Sequence, residues 1–378
     1  MIIELLFFEL IRIALDNANS LIHKPSDNEW KQLYNMAKKQ SLVGICFAAV
    51  QRLPEDERPP EMLYLTWMGM AAKILQRNET LNRQCVELQR MLATDGFNSC
   101  VLKGQAVASL YCSIAGLRQS GDIDMWMVAE PEKVIDWARA TGRMYYYDYH
   151  HADLSLYQDT EIELHYRPSL SRNLVRNARL QKWFREEGSR HIVYREELGF
   201  AVPDFIFNVV LTMNHNFWHL LYEGVGMRQL LDLYFILRSK NANTSASSAQ
   251  ADDDNLHCET LKLLKHLKLL RFASASMWIM KEVFGLEDEY LLCEPDEDAG
   301  RFLMNEIMQA GNFGKHDERL KEGRYKTSRV GLMWAWMKHN LRLIKYYPAD
   351  VLWTPIGILR ISLWRRWHYR NENELKNI

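Results

Sequence analysis

Two carboxylates one residue apart open an apolar run at Asp122-Ile123-Asp124-Met125-Trp126-Met127. Side chains alternate faces along a strand, so Asp122 and Asp124 share one face while Ile123 and Met125 point into a core. Paired carboxylates at a strand edge hold hard cations such as Mg²⁺ through oxygen. Such pairs also occur on solvated loops, so the neighbouring segments decide what this pair can do. Ser120 and Gly121 make the turn that leads into the strand. Downstream, Thr160 to Tyr166 alternates as a half-buried strand with Glu161, Glu163 and His165 on one face. If the two strands are neighbours, Glu163 is a third carboxylate on the same cluster. Upstream, Cys100-Val101-Leu102 reads as a strand, followed by Lys103-Gly104 and a helical pattern. A strand–Gly–helix junction presents free backbone N–H groups, which bind phosphate readily.

Other clusters carry weaker signals. His150-His151-x-Asp153 resembles a ligand set, but adjacent histidines on a strand face opposite sides, so a surface hairpin turn is expected. His215 and His219 are four apart on one helical face without the glutamate of a zinc-protease motif, which favours core or polar-contact histidines. Arg172, Arg176, Arg179, Lys182 and Arg185 form a basic run, read as a solvated face with a triphosphate cleft as the alternative. Arg228 and Asp232 are spaced for an intrahelical ion pair of little energetic value.

Lys103-Gly104, Arg118-x-Ser120-Gly121-Asp122-Ile123-Asp124, Glu163-Leu164-His165-Tyr166-Arg167 and Gly224-Val225-Gly226-Met227-Arg228-Gln229-Leu230-Leu231-Asp232 occur in that order. By this ordered set the chain resembles the uncharacterised bacterial nucleotidyltransferase-like family within the polymerase-β nucleotidyltransferase superfamily. The usual Gly-Ser phosphate-binding pair of that superfamily is Lys103-Gly104 here, and the gap to the first aspartate is longer. This form is similar to some abortive-infection toxins. The resemblance implies an α+β fold: a small mixed-sheet polymerase-β-like core flanked by N- and C-terminal helical segments. It also implies transfer of a nucleoside monophosphate from a nucleoside triphosphate to an acceptor hydroxyl, with two Mg²⁺ ions. Asp122, Asp124 and Glu163 would be the catalytic and metal-holding carboxylates. Lys103, Gly104, Arg118, Ser120 and Gly121 would meet the phosphates, with a salt bridge beneath the site as the other reading of Lys103 and Arg118.

The elements that must position these residues divide the chain into an N-terminal helical region (1–94), a core (95–200), a helical extension (201–240), a flexible linker (241–256) and a C-terminal helical region (257–378). Helices are expected at about 1–15, capped by Ser26 or Asp27 to Lys39, at Gly44 to Arg52, and at Glu61 to Ala93. Pro131 opens another, and Pro203 opens a long one. The linker reading follows from Asn, Ser, Thr, Ala and Asp with nothing large to bury. Val351 to Trp367 is apolar and basic, read as a helix packed on the domain that Pro355 and Gly357 interrupt, with membrane-surface binding as the alternative.

A near-balance of 47 basic and 48 acidic residues, net −1, gives no bulk drive toward nucleic acid. The six cysteines form no C-x-x-C pair, which argues against zinc and for reduced thiols in the cytoplasm. Glu4, Glu9 and Arg12 interrupt the apolar start, which argues against a signal peptide or membrane span. The expected partners are a nucleoside triphosphate and an unidentified small-molecule or protein acceptor. The rival classes are a toxin that modifies tRNA or protein and a non-catalytic interaction protein on the same fold. Clustered acids without a metal should repel, which argues against the second, and Asp→Asn changes there should leave the metal-free fold intact or slightly more stable.

Overall fold

Apolar and polar residues alternate over short spans in the middle of the chain, and these spans pair into one sheet. In the computed structural model, which describes residues 2–240, 249–314, 317 and 337–370, the strands are Ser99–Leu102 (β1), Ile123–Met127 (β2), Met144–Tyr147 (β3), His151–Leu154 (β4) and Ile162–His165 (β5). Their order is β1-β2-β5-β4-β3, with β2 and β5 parallel and the other pairs antiparallel. This is the mixed sheet of the expected α+β fold. β4 starts at His151. Its His151 pairs with His165 of β5, and that pairing rather than local apolarity sets its start.

The two faces of the sheet are covered by different helices. Ile123, Met125 and Met127 pack against Leu81, Cys85 and Leu88 of a long helix and against Val134 and Ala138 of a short one. On the opposite face Trp126 lies 5.4 Å from Phe207 and 6.4 Å from Phe184 between ring centroids. The helices before the sheet are Ile2–Ala14 (α1), Asp27–Lys39 (α2), Val43–Arg52 (α3) and Glu61–Thr94 (α4). Gly104–Ala108 (α5) follows β1, Pro131–Ala140 (α6) precedes β3, and Leu174–Glu186 (α7) follows β5. Ser26 and Glu29 form a reciprocal capping box that starts α2. α1 buries Leu6, Phe7, Leu10 and Ile11, each contributing about 1.5–3 kcal/mol by leaving water.

Ile192–Arg195 (β6) and Phe200–Pro203 (β7) form a hairpin. Pro203 therefore ends a strand instead of opening a helix. Asp204 caps Phe205–Tyr222 (α8), its side chain accepting from the Phe207 N–H at 3.0 Å. Met227–Arg238 (α9), Ala249–His266 (α10), Leu270–Ile279 (α11) and Glu297–Ala310 (α12) follow. The linker expected at 241–256 is helical from Ala249 onward, and 241–248 lie outside the described residues.

Pro348–Arg370 (α13) is one continuous helix despite Pro355 and Gly357. Tertiary contacts outweigh the local penalty. Arg365 and Arg360 bond Asp148 and the Tyr149 hydroxyl, and Trp364 meets Tyr147 and Tyr149 edge-on. Gly357 is needed for the approach, because a Cβ there would lie 2.5 Å from the Arg172 Cβ. Among the described residues no helix is long and apolar enough to cross a membrane.

Candidate active site

β2 and β5 run side by side with Asp124 opposite Glu163, and Asp122 immediately precedes β2. On the other side of β2, Leu102 pairs with Asp124, which brings Lys103 alongside. Lys103 Nζ lies 2.7 Å from Asp124 Oδ1, and His165 Nε2 lies 2.9 Å from the same oxygen and 3.2 Å from Glu163 Oε2.

These contacts set the protonation states. Burial works against the Asp124 carboxylate, but Lys103 and the hydrogen bond from His165 hold it well below the usual carboxylate range. Burial alone would lower His165; its bonds to Asp124 and Glu163 carry it up to about 9, so it is an imidazolium at neutral pH. Burial also disfavours charge on Lys103, yet Asp124 and Glu163 raise it. Burial works against the Glu163 carboxylate too, but the His165 hydrogen bond together with the charges of His165 and His151 lowers it. Asp122 differs: burial and then the charges of Asp124 and Glu163 raise it. Three carboxylates thus face two side-chain cations, leaving a local charge of −1. The expected repulsion among the acids is seen at Asp122, whereas the expectation that Asp124→Asn leaves the metal-free fold intact is corrected, because Lys103 and His165 both pair with the Asp124 carboxylate.

The Lys103-Gly104 junction is built on unusual backbone. Lys103 has φ 48° and Gly104 φ 29°, so both sit in the left-handed half where non-glycine residues are strained. The helix it opens is only five residues long, so its dipole is small and the cradle depends on the turn. Beside it, Ser120 Oγ accepts from Arg118 Nη1 at 2.6 Å, and the Gly121 carbonyl accepts from Arg77 Nη2 at 2.7 Å. Arg118 donates Nε and Nη2 to both oxygens of Asp232 at 2.6 and 2.7 Å, and the Tyr111 hydroxyl also bonds Asp232. Burial opposes charge on both partners, but each stabilises the other: Arg118 is raised and Asp232 lowered. The Asp232 carboxylate thus reaches across to Arg118 instead of serving only an intrahelical pair with Arg228, and the Arg118 guanidinium is committed to holding the turn.

A cavity of about 1070 Å³ opens over these residues. Asp122, Asp124, Glu163, Lys103, Gly104, Arg118, Ser120 and Gly121 all line it, together with five histidines: His150, His151, His165, His215 and His219. His215 Nε2 lies 3.4 Å from Lys103 Nζ and 3.1 Å from His219 Nε2. Burial, then Lys103, holds His215 well below its ordinary value. The hairpin turn expected at His150-His151 is present between β3 and β4, but both histidines are half-buried and line the cavity. His150 lies in the turn before β4, free of strand alternation, so its Nε2 comes within 2.9 Å of His151 Nδ1. Of the basic run, only Arg172 reaches the cavity, over the Tyr222 ring. Arg176 pairs with buried Asp350, and Lys182 stays on the surface with Glu186. Sequence reasoning missed the role of His165, whose signal is the period-two spacing of Glu163-x-His165, and the pairing of Arg118 with Asp232, which has no local signal.

The donor set suits a hard divalent ion, since carboxylates are its preferred ligands. Oxygens of Asp124 and Glu163 and a nitrogen of His165 lie within 4.8 Å of one another. A family model described as an uncharacterised nucleotidyltransferase matches residues 26–285. No curated protein and no solved structure matches the chain.

Proposed function

The chain belongs to this family of uncharacterised nucleotidyltransferases, and we propose that it moves a nucleoside monophosphate from a nucleoside triphosphate to an acceptor hydroxyl in the cavity above β2 and β5, with Mg²⁺. The observation that carries this reading is the Asp124–Glu163 register pair, with Asp122 beside it, facing a cavity that also contains the strained Lys103-Gly104 turn.

Asp122, Asp124 and Glu163 would hold Mg²⁺, which supplies charge neutralisation for the triphosphate and for the attacking oxygen. The chain's own part is positioning and electrostatics, the main demands of phosphoryl chemistry. The amides of the Lys103-Gly104 turn and of Ser120-Gly121 bind phosphate oxygens. The Lys103 ammonium, 2.7 Å from Asp124, lies where it can also face the triphosphate. Arg118 is a positioning residue: through Ser120 and Asp232 it fixes the turn that aims Asp122. In the transfer, the acceptor oxygen bonds the α-phosphorus, its proton leaves to a carboxylate or solvent, and pyrophosphate departs with the electron pair of the broken bond.

The acceptor would lie toward α13. Ile358, Ile361, Ser362 and Arg365 line that wall of the cavity, and all lie beyond the matched 26–285 segment. Acceptor choice is thus assigned to residues outside the family-wide core. The test is incubation with each labelled nucleoside triphosphate, Mg²⁺ and cell extract, followed by mass analysis of what becomes labelled. Label transfer lost in Asp122→Asn supports the reading; no label from any triphosphate overturns it.

A further inference from the structure

We propose that His150, His151 and His165 form a binding site for a transition-metal ion of the zinc or cobalt kind, chemically distinct from the carboxylate site for Mg²⁺. One ring nitrogen from each lies within 4.8 Å of the other two. Imidazole nitrogens suit zinc, cobalt, nickel or copper, whereas Mg²⁺ selects oxygen. Because His165 Nε2 is held by Asp124 and Glu163, the ion would take the other ring nitrogen of His165 and displace its proton.

The spacing fits an ion. His150 Nε2 and His151 Nδ1 are 2.9 Å apart, and their rings are nearly perpendicular at 85°. Two nitrogens bound at about 2.0–2.1 Å and subtending a right angle at a metal are about 2.9 Å apart, and about 3.4 Å at the tetrahedral angle. The observed pair sits at the near end of that range.

The rings are also held in place beforehand. The His150 carbonyl accepts from the N–H groups of Tyr166 and Arg167, at 3.0 and 3.1 Å, which ties its turn to the end of β5. His151 pairs in register with His165 across β4 and β5. Asp153 Oδ1 lies 2.9 Å from His151 Nε2, which places a carboxylate behind the ring on the side away from the Nδ1 that faces His150. A carboxylate behind a ligating imidazole fixes its tautomer and raises its basicity.

The test uses the full-length chain without a histidine tag, stripped of metal and titrated with Co²⁺ and with Cu²⁺ in a millimolar excess of Mg²⁺. The expected result is one tightly bound Co²⁺ per chain with ligand-field absorption, and a Cu²⁺ electron paramagnetic resonance spectrum split by imidazole nitrogens. His150→Ala and His151→Ala should lose the signal, and Asp153→Asn should weaken binding by about 10–100-fold. The nitrogen splitting is read on the unaltered chain, so the proposal stays testable if a variant fails to fold. It is overturned if Co²⁺ does not bind in excess Mg²⁺, if the spectrum lacks nitrogen splitting, or if folded His150→Ala and His151→Ala bind as before. Loss of binding in Asp122→Asn with retention in His150→Ala would also overturn it, by assigning the ion to the carboxylates. No nucleotide is present, so the outcome is independent of the proposed transfer reaction.

Discussion

Replacing Asp124 by asparagine removes the charge on which two buried cations converge. Lys103 Nζ and His165 Nε2 meet the same carboxylate oxygen at 2.7 and 2.9 Å. Breaking a buried pair by removing one partner costs about 3–5 kcal/mol, because the other charge is left without compensation. The rise of His165, to which Asp124 contributes most and Glu163 also contributes, gives an upper figure. A rise from 6.5 to about 9 is about 2.5 units, which at 1.36 kcal/mol per unit is about 3 kcal/mol. The sign follows from a folded-state value above the unfolded one. This stabilisation is fully present below pH 6.5 and is lost as pH rises through about 9. Asp122→Asn should act in the opposite direction. Its carboxyl is raised by burial and by Asp124 and Glu163, so an ionised Asp122 opposes folding at neutral pH and its neutral isostere relieves that. The assay is urea unfolding followed by tryptophan fluorescence, free of metal, at pH 6, 7 and 9. Asp124→Asn should lose about 3–5 kcal/mol at pH 7 and show a shallower decline toward pH 9 than the unaltered chain. Asp122→Asn should be as stable as the unaltered chain or more so. Equal stability of Asp124→Asn and the unaltered chain, or an equal loss in both variants, would refute the electrostatic argument.

Thermal unfolding with and without Mg²⁺ and ATP or GTP should show a rise for the unaltered chain, about 2.7 kcal/mol at a hundred times the dissociation constant, and little rise for Asp122→Asn. Asp232→Asn strips the buried Arg118 guanidinium of its partner and should cost about 3–5 kcal/mol in urea unfolding, with loss of nucleotidyl transfer because Ser120 is no longer held. Arg365→Ala breaks a pair whose arginine is half exposed, so unfolding should change by no more than about 1 kcal/mol, while KM for the acceptor rises as α13 loosens. Gly104→Ala forces a side chain to φ 29°, and the strain should cost about 1–2 kcal/mol and weaken triphosphate binding in a calorimetric titration.

Much of the local structure was legible because its causes are local. The capping residues at Ser26 and Glu29, Pro131 at the first turn of α6 and the alternation of 123–127 and 162–165 each act within a few residues. Where the reading went astray, a distant contact outweighed a local rule. α13 runs through Pro355 because Asp148, Tyr147 and Tyr149 hold its far end. His150 and His151 turn toward each other because the chain leaves the strand at the residue before β4.

The order of Lys103-Gly104, Asp122-x-Asp124 and Glu163-x-His165 by itself determined that three carboxylates could share a strand face and what chemistry they suit, since side-chain period and ligand preference are properties of the residues and their spacing. Only the tertiary structure decided that Lys103 and His165 neutralise Asp124, that Asp232 commits Arg118 to the turn, and that α13 closes the cavity. The pairing of a charge depends on which groups surround it after burial. For Asp232 and Arg118 that partner lies 114 residues away, a separation that no pattern of neighbouring residues encodes.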